Sequence, residues 1–146
     1  MSAYRPSYLI FVLGGAFVFA PFISAKPVDF SREIQPILSD MCYPCHGPDA
    51  AARKSGLRLD RRIEAFAGGK SGLVTIVPGR PDDSELIARI FSHDSEEVMP
   101  AADSNNPLTT AQKNLLRRWV SEGAAWGEHW AYVAPIRPIV PPVAQS

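Results

Sequence analysis

One run of five residues, Cys42-Tyr43-Pro44-Cys45-His46, constrains this chain more than any other feature. It has the C-x-x-C-H pattern at which c-type haem is attached to a protein. Two thiols at this offset can add to the two vinyl groups along one edge of a haem, and the histidine that follows is then held under the iron as an axial ligand. No other cysteine is present. The sequence therefore predicts one covalent haem c, attached at Cys42 and Cys45, with His46 as an iron ligand.

Other interpretations of the two cysteines explain less of the motif. A disulfide between Cys42 and Cys45 could form in an oxidising compartment, but it leaves His46 without a role. A thioredoxin-like redox pair needs strands alternating with helices around it, and the sequence shows no such pattern. A zinc site would have three clustered ligands and no second pair of cysteines. Covalent haem is the interpretation that uses all three residues.

Met99 is the leading candidate for the second axial ligand. It lies in a polar, acidic loop and is followed by Pro100, a place where a methionine has no obvious role in the core. Its thioether is the soft ligand that electron-transfer cytochromes use to raise the reduction potential. His93 and His129 are the competing ligands, an open site is a third possibility, and Met99 could instead only pack against the haem edge. Met41 adjoins the motif and cannot reach across the ring.

Apolar residues at spacings of three and four predict short helices, and no segment shows a convincing strand. The 14 prolines favour short helices separated by fixed turns. We expect an all-α fold of three to four short helices with long loops around one covalent haem. The predicted helices are one over 30–41 that runs into the motif, a short turn within 63–67, one that begins at Ser84, and one from a Thr109–Gln112 capping box to Gly123.

Residues 1–25 have the pattern of an export signal. One arginine and no acid precede an uninterrupted apolar run over 9–20, and Ala25 offers a small residue before a cleavage point. An uncleaved anchor is the alternative, because the apolar stretch just reaches the ~18 residues that a spanning helix needs. Both interpretations export the remaining chain, either into the periplasm or anchored and facing it. We expect the folded domain over 26–130 and a proline-rich, disordered tail over 131–146.

Several other side chains could belong to the haem site or to the core. The His46 ring nitrogen that does not bind iron should donate to a backbone carbonyl, which the turn over 55–57 could supply. Arg58, Arg61 and Arg62 could pair with haem propionates, although such arginines are more often solvated. The tryptophans are assigned to the core rather than to cofactor contacts, namely Trp119, Trp126 and Trp130.

Beyond the haem motif, the string from Phe30 to Trp130 resembles the cytochrome c domain described as planctomycete-type. The resemblance implies an all-α cytochrome c fold whose first and last helices pack across one another. It also implies His46 and Met99 as axial ligands of the iron. The matching pieces are Ile34-Gln35-Pro36-Ile37-Leu38, Cys42-x-x-Cys45-His46-Gly47-Pro48, Gly56-Leu57-Arg58-Leu59-Asp60, Gly72 to Gly79, Ser84-Glu85-Leu86-Ile87, Met99-Pro100, Leu108-Thr109, and Trp119 through Gly123-Ala124 to Trp126.

Two features depart from the usual pattern of that family. The chain has Ala101 where the family usually has a second proline after Met-Pro. The domain also usually begins a much longer exported protein, and residues 129–132 resemble the opening of the domain that follows it. We therefore expect a truncated or split member of the family, or a free-standing electron carrier.

Electron transfer is the leading functional expectation. A six-coordinate iron has no vacant site and can only cycle between its ferric and ferrous states, so we expect no enzymatic activity. The alternatives are a haem domain that binds a small ligand at an open or labile distal site, and a structural haem module of a larger exported protein. We expect a redox partner protein or domain, whereas a formal charge of zero argues against nucleic acid. A membrane is expected only if the N-terminal segment remains as an anchor.

Overall fold

The computed structural model describes residues 26–104 and 106–127, and within them it contains helices and no strands. This confirms the predicted all-α class. The predicted signal or anchor, the tail over 131–146, His129 and Trp130 lie outside the described residues. The helical elements are a π-helical turn Phe30–Ile34, α1 Gln35–Met41, α2 Tyr43–His46, α3 Arg62–Ala67, a 3-10 turn Pro81–Asp83, α4 Glu85–Phe91 and α5 Thr110–Ser121.

The predicted helix over 30–41 is present, but it has two parts. Asp29 caps its start by accepting the N–H of Arg32, and the first turn is a π-helix in which the N–H of Gln35 reaches the carbonyl of Phe30. Regular α-helix begins only at Gln35, with Pro36 in its first turn. Proline has no N–H to continue an α-helical ladder, so the wider turn ahead of it places the proline at a helix start, where it is tolerated.

The capping box at the start of α5 is confirmed. The N–H of Gln112 donates to the Thr109 hydroxyl at 3.2 Å, and the Thr109 N–H donates to the Gln112 side chain at 2.9 Å. The helix ends at Ser121, and Gly123 follows with a φ of +99°, a conformation that favours glycine. The buried face of α5 consists of Leu116, Trp119 and Val120.

Ser84 stands at the start of α4, as predicted, but its hydroxyl does not cap the helix. The hydroxyl instead accepts the N–H of Val77 and donates to the carbonyl of Arg80, both at 2.9 Å. The side chain therefore closes the preceding turn and is almost fully buried. From there α4 directs Leu86, Ile87 and Ile90 into the core.

An aromatic cluster joins the two ends of the described chain. The Phe30 and Trp126 ring centroids are 4.4 Å apart, and Trp119 lies 5.7 Å from Phe30 and 5.8 Å from Trp126. The indole N–H of Trp119 donates to the carbonyl of Ala125 at 2.9 Å, so this buried ring leaves no polar atom unpaired. The cluster packs the Phe30–Ile34 turn against α5, the contact between first and last helices that the resemblance implied. No helix in the described segments is long and apolar enough to cross a membrane.

Candidate haem site

The motif residues lie on one helical turn. Cys42 connects the end of α1 to the start of α2, and Cys45 and His46 lie in α2. The N–H of Cys42 donates to the carbonyl of Leu38 at 2.9 Å, so the helical ladder reaches the first cysteine. The N–H groups of Cys45 and His46 then both donate to the carbonyl of Cys42, at 3.1 and 2.7 Å. Residues three apart on a helical turn lie on one side of it, so both thiols are offered to the same ligand edge.

The two thiols are free and differ in their surroundings. Cys42 is buried and Cys45 is exposed. Burial, and then the neighbouring Cys45, raises the pKa of the Cys42 thiol to about 12. Cys42 is therefore held as a neutral thiol at physiological pH, and it lies in the core beside the ligand cavity described below.

A loop after the motif folds back and fastens it. The N–H of Lys54 donates to the carbonyl of Cys45 at 2.8 Å, and the N–H of Leu59 donates to the carbonyl of His46 at 2.7 Å. The Arg53 guanidinium also donates to the carbonyls of Gly47 and Pro48, at 3.0 and 2.8 Å. The carbonyls at the end of α2 thus find partners in the loop, as helix ends require.

Gly47 is needed where the chain leaves the motif. A Cβ atom at this position would lie 2.4 Å from the carbonyl oxygen of Tyr43 and 2.8 Å from the Tyr43 Cβ. Both neighbours belong to the helical turn and cannot move without disturbing α2. The glycine therefore lets the backbone pass directly against the turn that carries the cysteines.

The His46 imidazole has one nitrogen that is buried without a partner. Nδ1 makes no hydrogen bond of ordinary geometry. Burial lowers the pKa of His46, while the adjacent Lys54 main chain acts weakly in the opposite direction. The predicted bond to the turn over 55–57 is therefore not formed. A ring kept neutral by burial is the form of histidine that can bind a metal.

Met99 follows α4 on a loop and is 36% exposed. Its N–H donates to the carbonyl of Arg89 at 3.1 Å, and the Met99-Pro100 bond is cis. Met99 lines the same cavity as Cys42, Cys45 and His46. His93 is exposed and does not line that cavity. The fold thus brings Met99, and not His93, together with the motif, while ligation of iron by Met99 remains a prediction.

The cavity has a volume of about 740 Å³, within the usual range of about 300–1,000 Å³ for ligand and cofactor pockets. Leucine, isoleucine and methionine side chains form much of its wall, and polar side chains also line it. The apolar lining comes from Met41, Leu57, Leu59, Leu86 and Ile90, and the polar lining includes Lys54, Ser55, Ser71, Thr75, Glu85 and Arg89.

A comparison with known families finds a match to part of this chain. Residues 42–103 match the family model described as Planctomycete cytochrome C. This part of the chain is similar to planctomycete cytochrome c domains. The match begins at Cys42 and extends beyond Met99, so it includes all four predicted haem residues. No curated protein and no solved structure gives a significant match.

A planctomycete cytochrome c domain implies haem c, and the residues of this cavity fit that group. Cys42 and Cys45 would hold the ring edge, and His46 and Met99 would bind the iron. His46 lines this cavity and has one buried ring nitrogen without a partner, an expected feature of a site built for a large metal-bearing ligand. Within the described residues, no group of three or more His, Cys, Asp or Glu side chains is arranged to hold a bare metal ion.

The three arginines considered for the haem propionates do not line the cavity. Arg58 pairs with Asp60, Arg61 lies 3.6 Å from Glu64, and the Arg62 guanidinium lies 5.3 Å from the Phe66 ring centroid. The cations on the cavity wall are Lys54 and Arg89, which the sequence did not single out. The Glu85–Arg89 spacing on α4 was visible in the sequence, but nothing there placed it beside Met99.

Proposed function

We propose that this chain is an exported, mono-haem c-type cytochrome domain that transfers single electrons through iron bound by His46 and Met99. The observation that carries the proposal is that the two cysteines, the histidine and the methionine line one largely apolar cavity, although Met99 lies far along the chain from the motif. Bound haem supplies a one-electron couple between ferric and ferrous iron.

The residues of the chain would set the properties of that couple. Attachment of Cys42 and Cys45 prevents loss of the cofactor, and the helical turn that joins them fixes where His46 stands. The Met99 thioether favours ferrous iron and raises the reduction potential. The apolar wall that includes Leu59, Leu86 and Ile90 excludes water and disfavours the extra charge of ferric iron. Iron with both axial positions filled has no site for substrate, so we propose a carrier rather than an enzyme.

Export and a redox partner are part of the same proposal. The apolar N-terminal segment is typical of an export signal. We propose that the domain acts in the periplasm, or facing it on an anchor, and that it exchanges electrons with another protein or domain. The mass of the exported product distinguishes cleavage after Ala25 from a retained anchor.

The test is to produce the full chain in a bacterial periplasm with c-type haem maturation and to record the reduced spectrum with and without carbon monoxide. We expect one haem that survives denaturation, and no rapid change of the spectrum when the gas is added. Met99→Ala should open the iron to carbon monoxide. Met41→Ala is the matched control, because it removes a thioether from the motif side of the same cavity.

The other results would overturn the proposal in distinct ways. A rapid and complete shift of the wild-type spectrum would indicate an open or labile distal site and a domain that binds small ligands. Loss of haem on denaturation would contradict attachment at Cys42 and Cys45. An effect of Met41→Ala equal to that of Met99→Ala would remove the reason to assign the second ligand to Met99.

A further inference from the structure

Arg89 on α4 forms hydrogen bonds with the main chain of the Met99 loop at two points, Glu97 and Met99. Its carbonyl accepts the N–H of Met99 at 3.1 Å, and its guanidinium Nη1 donates to the carbonyl of Glu97 at 3.4 Å. The two bonds lie on either side of Val98. The backbone of the Met99 loop is thus attached to a helix through main chain and side chain of the same residue.

The rest of this loop is closed on itself. The N–H groups of Glu97 and Val98 donate to the carbonyl of Asp94 at 3.1 and 2.8 Å, and the Asp94 carboxylate accepts the N–H of Glu96 at 2.9 Å. The carbonyl of Arg89 also accepts the N–H of Ser92 at 3.3 Å, where the loop begins. The loop therefore forms a small folded unit whose two ends meet at Arg89.

Arg89 is itself held in place by Glu85, one helical turn earlier. The Arg89 Nε lies 2.6 Å from the Glu85 carboxylate, and both side chains are only partly exposed. Both residues line the cavity that contains Met99 and His46. A guanidinium is planar and rigid, so fixing one edge on Glu85 aims the other edge at the Glu97 carbonyl.

We propose that Arg89, oriented by Glu85, is the positioning residue that sets Met99 for bonding to iron and so keeps the sixth coordination site closed. This inference rests on the proposed His46 and Met99 ligation. Helix α4 buries Leu86, Ile87 and Ile90 in the core, so Arg89 ties the methionine loop to a fixed part of the fold. Without the guanidinium, the Glu97 carbonyl loses its partner, and the Met99 N–H to the Arg89 carbonyl is the bond that still ties the end of the loop to α4.

The test compares Arg89→Gln with Arg80→Gln in the haem-loaded full chain. Arg80 is a matched control, because it also forms an ion pair within its own turn, at 3.2 Å to Asp83, but does not line the cavity. We expect Arg89→Gln to bind carbon monoxide about tenfold faster than wild type, the scale of one lost charge-assisted hydrogen bond. It should also weaken the absorption of the ferric methionine–iron bond and lower the midpoint potential. Arg80→Gln should match wild type, and Arg89→Lys should recover part of the closed state.

The outcomes separate this inference from the proposed function. If Met99→Ala leaves carbon monoxide binding as slow as in wild type, the proposed ligation fails. If Met99→Ala opens the site but Arg89→Gln behaves as Arg80→Gln does, the positioning role is overturned while ligation stands. Should Arg89→Gln fail to accumulate with haem, Glu85→Gln keeps the arginine but removes the charge that orients it. A closed site in Glu85→Gln would then overturn the inference, and a more open site would support it.

Discussion

The main-chain N–H of Leu59 donates a 2.7 Å hydrogen bond to the carbonyl oxygen of His46, and the leucine itself is 2% exposed. A residue of the long loop after the motif thus joins the core and fastens the main chain of His46 at the same time. Loops in small domains usually run over the surface, but here the loop forms part of the wall of the ligand cavity.

Replacing Leu59 by alanine should destabilise the haem-loaded domain by about 2–5 kcal/mol, because it leaves a cavity in a packed site next to the motif. Urea unfolding followed by far-ultraviolet circular dichroism measures the change. Leu73→Ala is the control, since Leu73 is 50% exposed and its truncation should cost less than about 0.5 kcal/mol. Equal losses in the two variants would show that the loop does not contribute a core residue.

Gly47→Ala should reduce the amount of covalently attached haem, because the new Cβ would press against the main chain of Tyr43 within the attachment turn. Haem that stays with the polypeptide in a denaturing gel measures the yield. Gly72→Ala is a useful comparison. Its Cβ would meet nothing within 4 Å, although its φ of +75° carries a conformational cost of its own. A lower yield at position 47 and a normal yield at 72 is the expected pair of results.

Stability should depend on the charge of Glu122. The Val28 N–H, and then the Arg118 guanidinium, hold the pKa of this carboxyl below its ordinary value of 4.5. Because the folded-state pKa is the lower one, the carboxylate stabilises the fold above the unfolded-state pKa. That contribution disappears as the pH falls through the folded-state pKa.

The pH dependence is measured as the difference in urea midpoint between wild type and Glu122→Gln. The wild type should be the more stable at neutral pH, and the difference should shrink below about pH 4.5. Glu96→Gln, on an exposed loop, is the control for loss of one negative charge. A difference that stays constant with pH would mean that the bond to Val28 does not distinguish the folded carboxylate from the acid.

Thr109→Ala should cost about 1 kcal/mol of stability, since it removes the acceptor for the N–H of Gln112 and breaks the capping box of α5. Thermal unfolding followed by circular dichroism detects the change. Thr110→Ala is the matched control, because Thr110 is exposed, is the first residue of α5 and is not the capping residue. Alanine is at least as favourable as threonine in a helix. A loss at 110 as large as at 109 would contradict the role of the cap.

Features that depend on neighbours along the chain were predictable from the sequence. The spacing of Cys42, Cys45 and His46 describes a single helical turn, and Thr109 with Gln112 describes a cap. Each depends on hydrogen bonds between residues three or four apart, so residue type and spacing suffice. The turn before Pro36 is an exception among these local features, because the sequence did not predict that it would widen into a π-helix.

The rest of the site was decided by tertiary structure. The sequence made Met99 the leading candidate for a place opposite His46, but the position of its loop at the cavity depends on the packing of α4 and on the bonds to Arg89. Two of the arginines that the sequence suggested for the propionates form ion pairs elsewhere, Arg58 with Asp60 and Arg61 with Glu64. Lys54 and Arg89 line the cavity instead. The sequence by itself determined the attachment motif, the helical class and the caps, because these are set by short-range hydrogen bonding. Only the tertiary structure decided which distant side chains share the cavity, because that depends on how the helices pack around one apolar core.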